Sequence, residues 1–200
     1  MTHEAATPSE GDQAQAPHTL ALSITGLMRT LGSGEMAALR RLEADAAAPA
    51  YWRLAARHPV LERRLDLWAP VVQALALLMP KGPPEARGDL HDPARPLGMA
   101  LCDGGQRHWA SDGDPRPALS EQRLARLLAA RGRQRQTLML RALRMLATRR
   151  DPDRGIDVGD LAWRFLDADP QRLAAPYYKR LDRAERAADP TATDRDTGDD

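Results

Sequence analysis

The sequence predicts an all-α fold of two packed helical halves, on three observations. Ala, Leu and Arg dominate the chain, aromatics make up only 4% and β-branched residues are few, so the apolar positions are filled by helix formers. Apolar residues recur three and four apart between Pro and Gly breaks. A hydrophobic share of 42% over 200 residues supplies core for one domain or two small halves. The expected organisation is a disordered tail over 1–17, an amino-terminal helical half over 18–103 and a loop over 104–119. A carboxy-terminal helical half then covers 120–188, and an acidic disordered tail covers 189–200.

Each helix is expected from its own signals. Pro17 opens a helix over 18–31, which Gly32-Ser33-Gly34 ends. A second, over 35–47, puts Met36, Leu39 and Leu42 on one face, and Pro49 precedes a third over 50–58. Pro59 starts 60–79, where Leu61, Leu65 and Trp68 keep helical spacing until Pro70 kinks or restarts the helix. Residues 80–96, rich in Pro, Gly and charge, read as a long exposed loop before a short helix over 97–103. Ser120 is an N-cap for 121–130, Gly132 separates that helix from 133–149, and Asp157 caps 158–166. Asp169 and Pro170 open the last helix, which runs through 187.

Charge is distributed unevenly along this chain. The net charge is +1, yet the segment 122–150 has no acidic residue and carries nine arginines: Arg123, Arg126, Arg131, Arg133, Arg135, Arg141, Arg144, Arg149 and Arg150. Such a block concentrates positive potential where a polyanion could meet it. At about 100° per residue, Arg133, Arg144, Thr137, Thr148 and Arg141 share one stripe of the helix 133–149, whose remaining circumference is apolar. A core-anchored arginine row suits successive phosphates; a solvated helix face is the plain structural reading of the same positions. Arg149 and Arg150, at a helix end, fit the helix dipole.

Other chemistries find little support. Cys102 is the single cysteine, which excludes an intramolecular disulfide and fits a reducing compartment, the cytoplasm by default. It sits beside Leu101 and reads as a buried thiol rather than a nucleophile activated by His108. Asp89, His91 and Asp92, or Asp112 and Asp114, lie in Pro- and Gly-rich loops without a scaffolded fourth metal ligand. No phosphate-binding Gly-Lys-Ser/Thr loop or dinucleotide fingerprint is present. The longest apolar run, 68–79, is too short to span a bilayer, and the first seventeen residues lack the regions of a signal peptide. Trp52, Trp68 and Trp163 read as core residues, whereas Trp109 lies in a polar loop and Tyr177, Tyr178, Lys179 and Arg180 combine aromatic and basic character.

Four phrases fall in a familiar order: Gly34-Glu35-Met36-Ala37-Ala38-Leu39-Arg40-Arg41, then Pro49-Ala50-Tyr51-Trp52-Arg53-Leu54, then Pro96-Leu97-Gly98-Met99-Ala100-Leu101, then Leu119-Ser120-Glu121-Gln122-Arg123-Leu124 leading into Leu140-Arg141-Ala142-Leu143. Over residues 20–187 the chain resembles the CasB family, the small subunit of the type I-E CRISPR surveillance complex called Cascade. Met99 stands where members often carry a basic residue, and the segments 80–95 and 167–176 depart from the family pattern. The resemblance implies a non-catalytic, cofactor-free, all-α subunit. It would sit as a pair of copies beside the large subunit CasA, the backbone subunit CasC, CasD and CasE, with guide RNA and target DNA and no membrane.

In that family, basic side chains line the nucleic-acid path and hold the displaced DNA strand. Carried to this chain, the role falls on Arg40, Arg41, Arg53, Arg63, Arg64, Arg123, Arg131, Arg133, Arg141 and Arg144. Two other readings stay open at this point. One is a helix-turn-helix regulator built on 120–149; the other is an interaction subunit whose arginines meet acidic protein surfaces.

Overall fold

A computed structural model describes residues 17–43, 48–110, 115–167 and 169–188. The two expected tails lie outside the described residues, apart from Pro17, as do Asp112 and Asp114. Among the described residues there are ten α-helices, one 3-10 turn and no strand, so the fold is all-α. The helices are α1 (Pro17–Thr30), α2 (Ser33–Arg40), α3 (Pro49–Ala55), α4 (Val60–Arg63), α5 (Leu65–Leu78), α6 (Leu97–Asp103), α7 (Glu121–Ala129), α8 (Gly132–Arg149), α9 (Val158–Leu166) and α10 (Gln171–Ala188).

The central element is α5, which is apolar nearly all round. Trp68, Ala69, Val71, Val72, Ala74, Leu75, Ala76 and Leu78 are all buried, as a helix enclosed by others requires. It packs against α2, α8 and α9. Helices from the two ends of the chain also meet: α1 lies on α9, and the most extensive pairing joins α6 to α10. Gly98 permits that approach, since a Cβ there would lie 2.2 Å from the Leu173 carbonyl oxygen. One cluster of buried side chains runs through all these elements, from Leu20 to Leu181.

Local signals explain several boundaries. Asp157 accepts from the N–H groups of Gly159 and Asp160 and so caps α9. Asp169 accepts from Gln171 N–H at the start of α10, and Gly104 ends α6 in the left-handed region at φ 64°. Ser120 occupies the N-cap position of α7 without a side-chain hydrogen bond, so the expected capping contact is not made.

Two other boundaries differ from the expectation, and distant residues meet the first of them. The helix expected over 35–47 ends at Arg40. There the Gln73 side chain donates to the Arg40 carbonyl at 3.2 Å, while the Arg40 guanidinium donates to the carbonyls of Ala76 and Met79. The helix expected over 60–79 breaks at Arg64 (φ −129°, ψ 49°) rather than at Pro70. Pro70 instead lies in the second turn of α5, where it forgoes the bond to the Asp66 carbonyl.

The loop over 80–96 is anchored rather than fully exposed. Arg87, Leu90 and Arg95 in it are buried, and Arg87 donates to the carbonyls of Met28 (3.0 Å), Leu31 (2.6 Å) and Gly82 (3.0 Å). A bridge pairs His91 with Ile156, through Asp92 N–H to the Ile156 carbonyl and Ile156 N–H to the Leu90 carbonyl.

Candidate nucleic-acid interface

The site is built on α8. Its inner face buries Arg135, Met139, Ala142, Leu143 and Leu146, which fixes the helix against α5 and leaves the opposite side outward. Arg133, Thr137, Arg141, Arg144 and Thr148 are all exposed there, so the stripe read from the sequence exists. Both threonines bond back to their own helix, Thr137 to the Arg133 carbonyl at 3.0 Å and Thr148 to the Met145 carbonyl at 2.7 Å. The arginines therefore present the free donors of the stripe.

The stripe forms a ridge between two grooves. On one side, Arg133, Thr137 and Arg144 face Arg40 and Arg41 at the end of α2, with Leu42, Gln73 and Leu140 below and Glu43 as the one acidic lining residue among the described residues. Arg133 and Arg144 are about 16 Å apart along the axis, at 1.5 Å per residue. On the other side, Arg141 faces Arg123 and Arg126 of α7 across an apolar floor of Leu119, Leu138, Ala142 and Met145. Among the described residues, no acidic side chain lines this second groove. Among the described residues, the guanidinium groups of Arg41, Arg123, Arg126, Arg133, Arg141 and Arg144 have no hydrogen-bond or ion-pair partner. Six unneutralised guanidinium groups around one helix create a field that favours anions.

The other candidates are placed differently. Arg40 lines the first groove, but its guanidinium holds the carboxy-terminal carbonyls of α5; burial and the neighbouring charge of Arg87 lower its pKa. Arg131 turns back onto the end of α7, donating to the Leu128 and Ala130 carbonyls. Arg53 is exposed and paired with Glu35. Arg53, Arg63 and Arg64 are exposed on α3, α4 and the turn after it, and line neither groove. Arg126 joins the cluster without having been singled out; its spacing of three from Arg123 on a helix was the available signal.

Two members of the acid-free block are structural. Arg135 is 6% exposed and donates to the Arg164 carbonyl at the end of α9, with its pKa lowered first by burial and then by Arg131 and Arg164. Arg150 donates to the Leu78 carbonyl at 2.7 Å, and burial lowers its pKa as well.

The aromatic residues also divide. Trp68 is buried, but Trp52 (43% exposed) and Trp163 (39%) are not core residues as their spacing suggested. Trp109 is half-buried; its indole N–H donates to the Arg116 carbonyl, and the Arg180 guanidinium lies 4.8 Å from the ring centroid. Arg180 also donates to Asp103, which is almost fully buried and accepts from Arg95 and Gly105 N–H too. Tyr177 is buried with its hydroxyl on the Leu119 carbonyl, while Tyr178 is exposed. That aromatic and basic group is thus mostly a structural join between α6, α7 and α10.

The residues considered for other chemistry are engaged locally. Asp89 and Asp92 accept from backbone N–H groups two residues ahead, and no group of three metal-ligating side chains occurs among the described residues. Cys102 is fully buried, and burial together with Asp103 pushes its thiol up to about 12. No described helix is long and apolar enough to cross a membrane. No protein-family model, curated protein or solved structure matches the chain.

Proposed function

We propose that the chain is a non-catalytic small subunit of a type I-E CRISPR surveillance complex, and that its arginine face holds the DNA strand displaced when guide RNA pairs with the target. The observation that carries this reading is the pair of grooves flanking α8, with six arginines whose guanidinium groups have no protein partner among the described residues. Exchange of a DNA duplex for an RNA–DNA heteroduplex is nearly balanced in free energy, so modest contacts to the displaced strand shift it. Those contacts require fixed positive charge and little base reading. Arginine forks on a core-anchored helix supply that, with each phosphate contact releasing counterions. The ordered phrases from Gly34 to Leu143 are the basis for naming this complex rather than another nucleic-acid binder.

The test is co-expression with guide RNA and the subunits CasA, CasC, CasD and CasE. The protein is expected to co-purify with the RNA-bearing assembly. Replacing Arg123, Arg133, Arg141 and Arg144 with Ala should leave assembly intact and lower retention of target DNA by the complex. Recovery of the protein alone, bound to a specific duplex sequence, would assign it to the regulators instead. Loss of assembly with normal DNA retention by the remaining subunits would make the arginines contacts to protein.

A further inference from the structure

The groove between α7 and α8 combines features that bare phosphate binding does not need. Its floor of Leu119, Leu138, Ala142 and Met145 is apolar, and its rim carries Arg123, Arg126 and Arg141. Among the described residues no carboxylate lines it, and none occurs anywhere in 122–150. Three guanidinium groups facing one another without a counter-charge repel, and an anion held among them relieves that repulsion.

The chain carries such an anion itself. Residues 189–200 contain Asp189, Asp194, Asp196, Asp199 and Asp200 against the single base Arg195. The overall charge of +1 therefore joins a tail of net −4 to a body of net +5. Residues 1–16 are acidic too, with Glu4, Glu10 and Asp12, but at lower density.

We propose that residues 189–200 dock along the α7–α8 groove of the same chain as an internal polyanion, and so compete there with nucleic acid. The docking stands on charge and reach alone; the competition rests on the reading of the grooves as a nucleic-acid surface.

Reach is sufficient. The Tyr177 hydroxyl lies 2.6 Å from the carbonyl of Leu119, a floor residue of the groove, and α10 ends eleven residues later at Ala188, about 16 Å along its axis. The twelve residues that follow span up to about 40 Å when extended. Spacing is matched as well. In an extended segment Asp194 and Asp196 point to the same side about 7 Å apart, close to the one-turn separation of about 5–6 Å between Arg123 and Arg126. The first groove is the poorer host, since Glu43 lines it and repels an acidic segment.

A spin label on Thr197→Cys reads the contact directly, because Cys102 is buried and its thiol is held protonated. In dilute protein at about 0.01 M salt, broadening is expected at the Leu138, Ala142 and Met145 signals. At about 1 M salt, where the Debye length is about 3 Å, it should vanish. It should also vanish when Asp194, Asp196, Asp199 and Asp200 are changed to Asn, and when Arg123, Arg126 and Arg141 are changed to Ala. With a tether of this length setting a local concentration of order millimolar, ending the chain at Ala188 should tighten binding of a single-stranded oligonucleotide by roughly 3- to 10-fold. That gain should be absent in the Arg→Ala background.

Broadening that is missing at low salt, that survives the Asn substitutions, or that appears only as protein concentration rises overturns the proposal; the last result would assign the groove to a neighbouring copy. Broadening at the groove in a protein that binds no oligonucleotide with or without the tail supports the docking and overturns the nucleic-acid reading. Unchanged oligonucleotide affinity after truncation overturns the competition while leaving the nucleic-acid reading in place.

Discussion

Arginine does two jobs in this molecule, and the neighbourhood of each side chain decides which. Arg40 and Arg150 hold the last carbonyls of α5, Arg87 those of α1, Arg131 those of α7, and Arg135 that of α9. A helix end leaves carbonyl groups without partners and carries partial negative charge, so a cationic fork reaching it from elsewhere satisfies both. Arg87 shows the cost most clearly: it is 3% exposed and serves the carbonyls of Met28, Arg29, Leu31 and Gly82. Arg87→Met should therefore destabilise the fold by about 2–4 kcal/mol, because buried acceptors are left unmatched. Arg41→Ala, at an exposed position, should stay within about 0.5 kcal/mol. Urea unfolding of the two variants checks the contrast, and equal effects would mean that the Arg87 bonds contribute little.

At the level of elements, the legible helices are those whose ends are marked by their own residues. The bounds of α6 follow from Pro96 and Gly104, the start of α8 from Gly132, and the start of α9 from Asp157. The end of α2 was not legible, because Gln73 and Arg40 act across more than thirty residues and local patterns carry no trace of that; the break before α5 at Arg64 has no local marker. The stripe on α8 was legible from its period alone. The division of the nine arginines was legible only in part: the angle on the wheel puts Arg135 on the apolar side, but nothing local shows that Arg131 folds back onto α7. The exposed stripe leads to a measurement on the element itself. Arg133→Ala with Arg144→Ala should weaken single-stranded DNA binding uniformly across sequences, and should reduce the slope of log K against log salt by about 0.7 for each phosphate no longer bound. A change in sequence preference with an unaltered slope would instead place base-reading side chains on α8.

For the whole molecule, the decisive feature is that the chain closes on itself. Contacts of α1 with α9 and of α6 with α10 join early and late segments through one buried cluster. Asp103 reinforces the closure by accepting from Arg95 in the 80–96 loop and from Arg180 on α10. A perturbation where α6 meets α10 should therefore be felt far away, at Trp68 inside α5. Gly98→Ala provides it, because the added methyl group meets the backbone of α10 at Leu173 and can be relieved only by moving the helix. The expected destabilisation is about 2–3 kcal/mol. In a protein keeping Trp68 as its sole tryptophan, with Trp52, Trp109 and Trp163 changed to Phe, fluorescence and circular dichroism should shift together to lower urea by the same amount, as two-state unfolding demands. If Trp68 kept its midpoint while the helical signal split into two steps, α10 would be a separately melting layer. The arginine ridge on α8, which rests on α5, would then stay in place after α10 had come away.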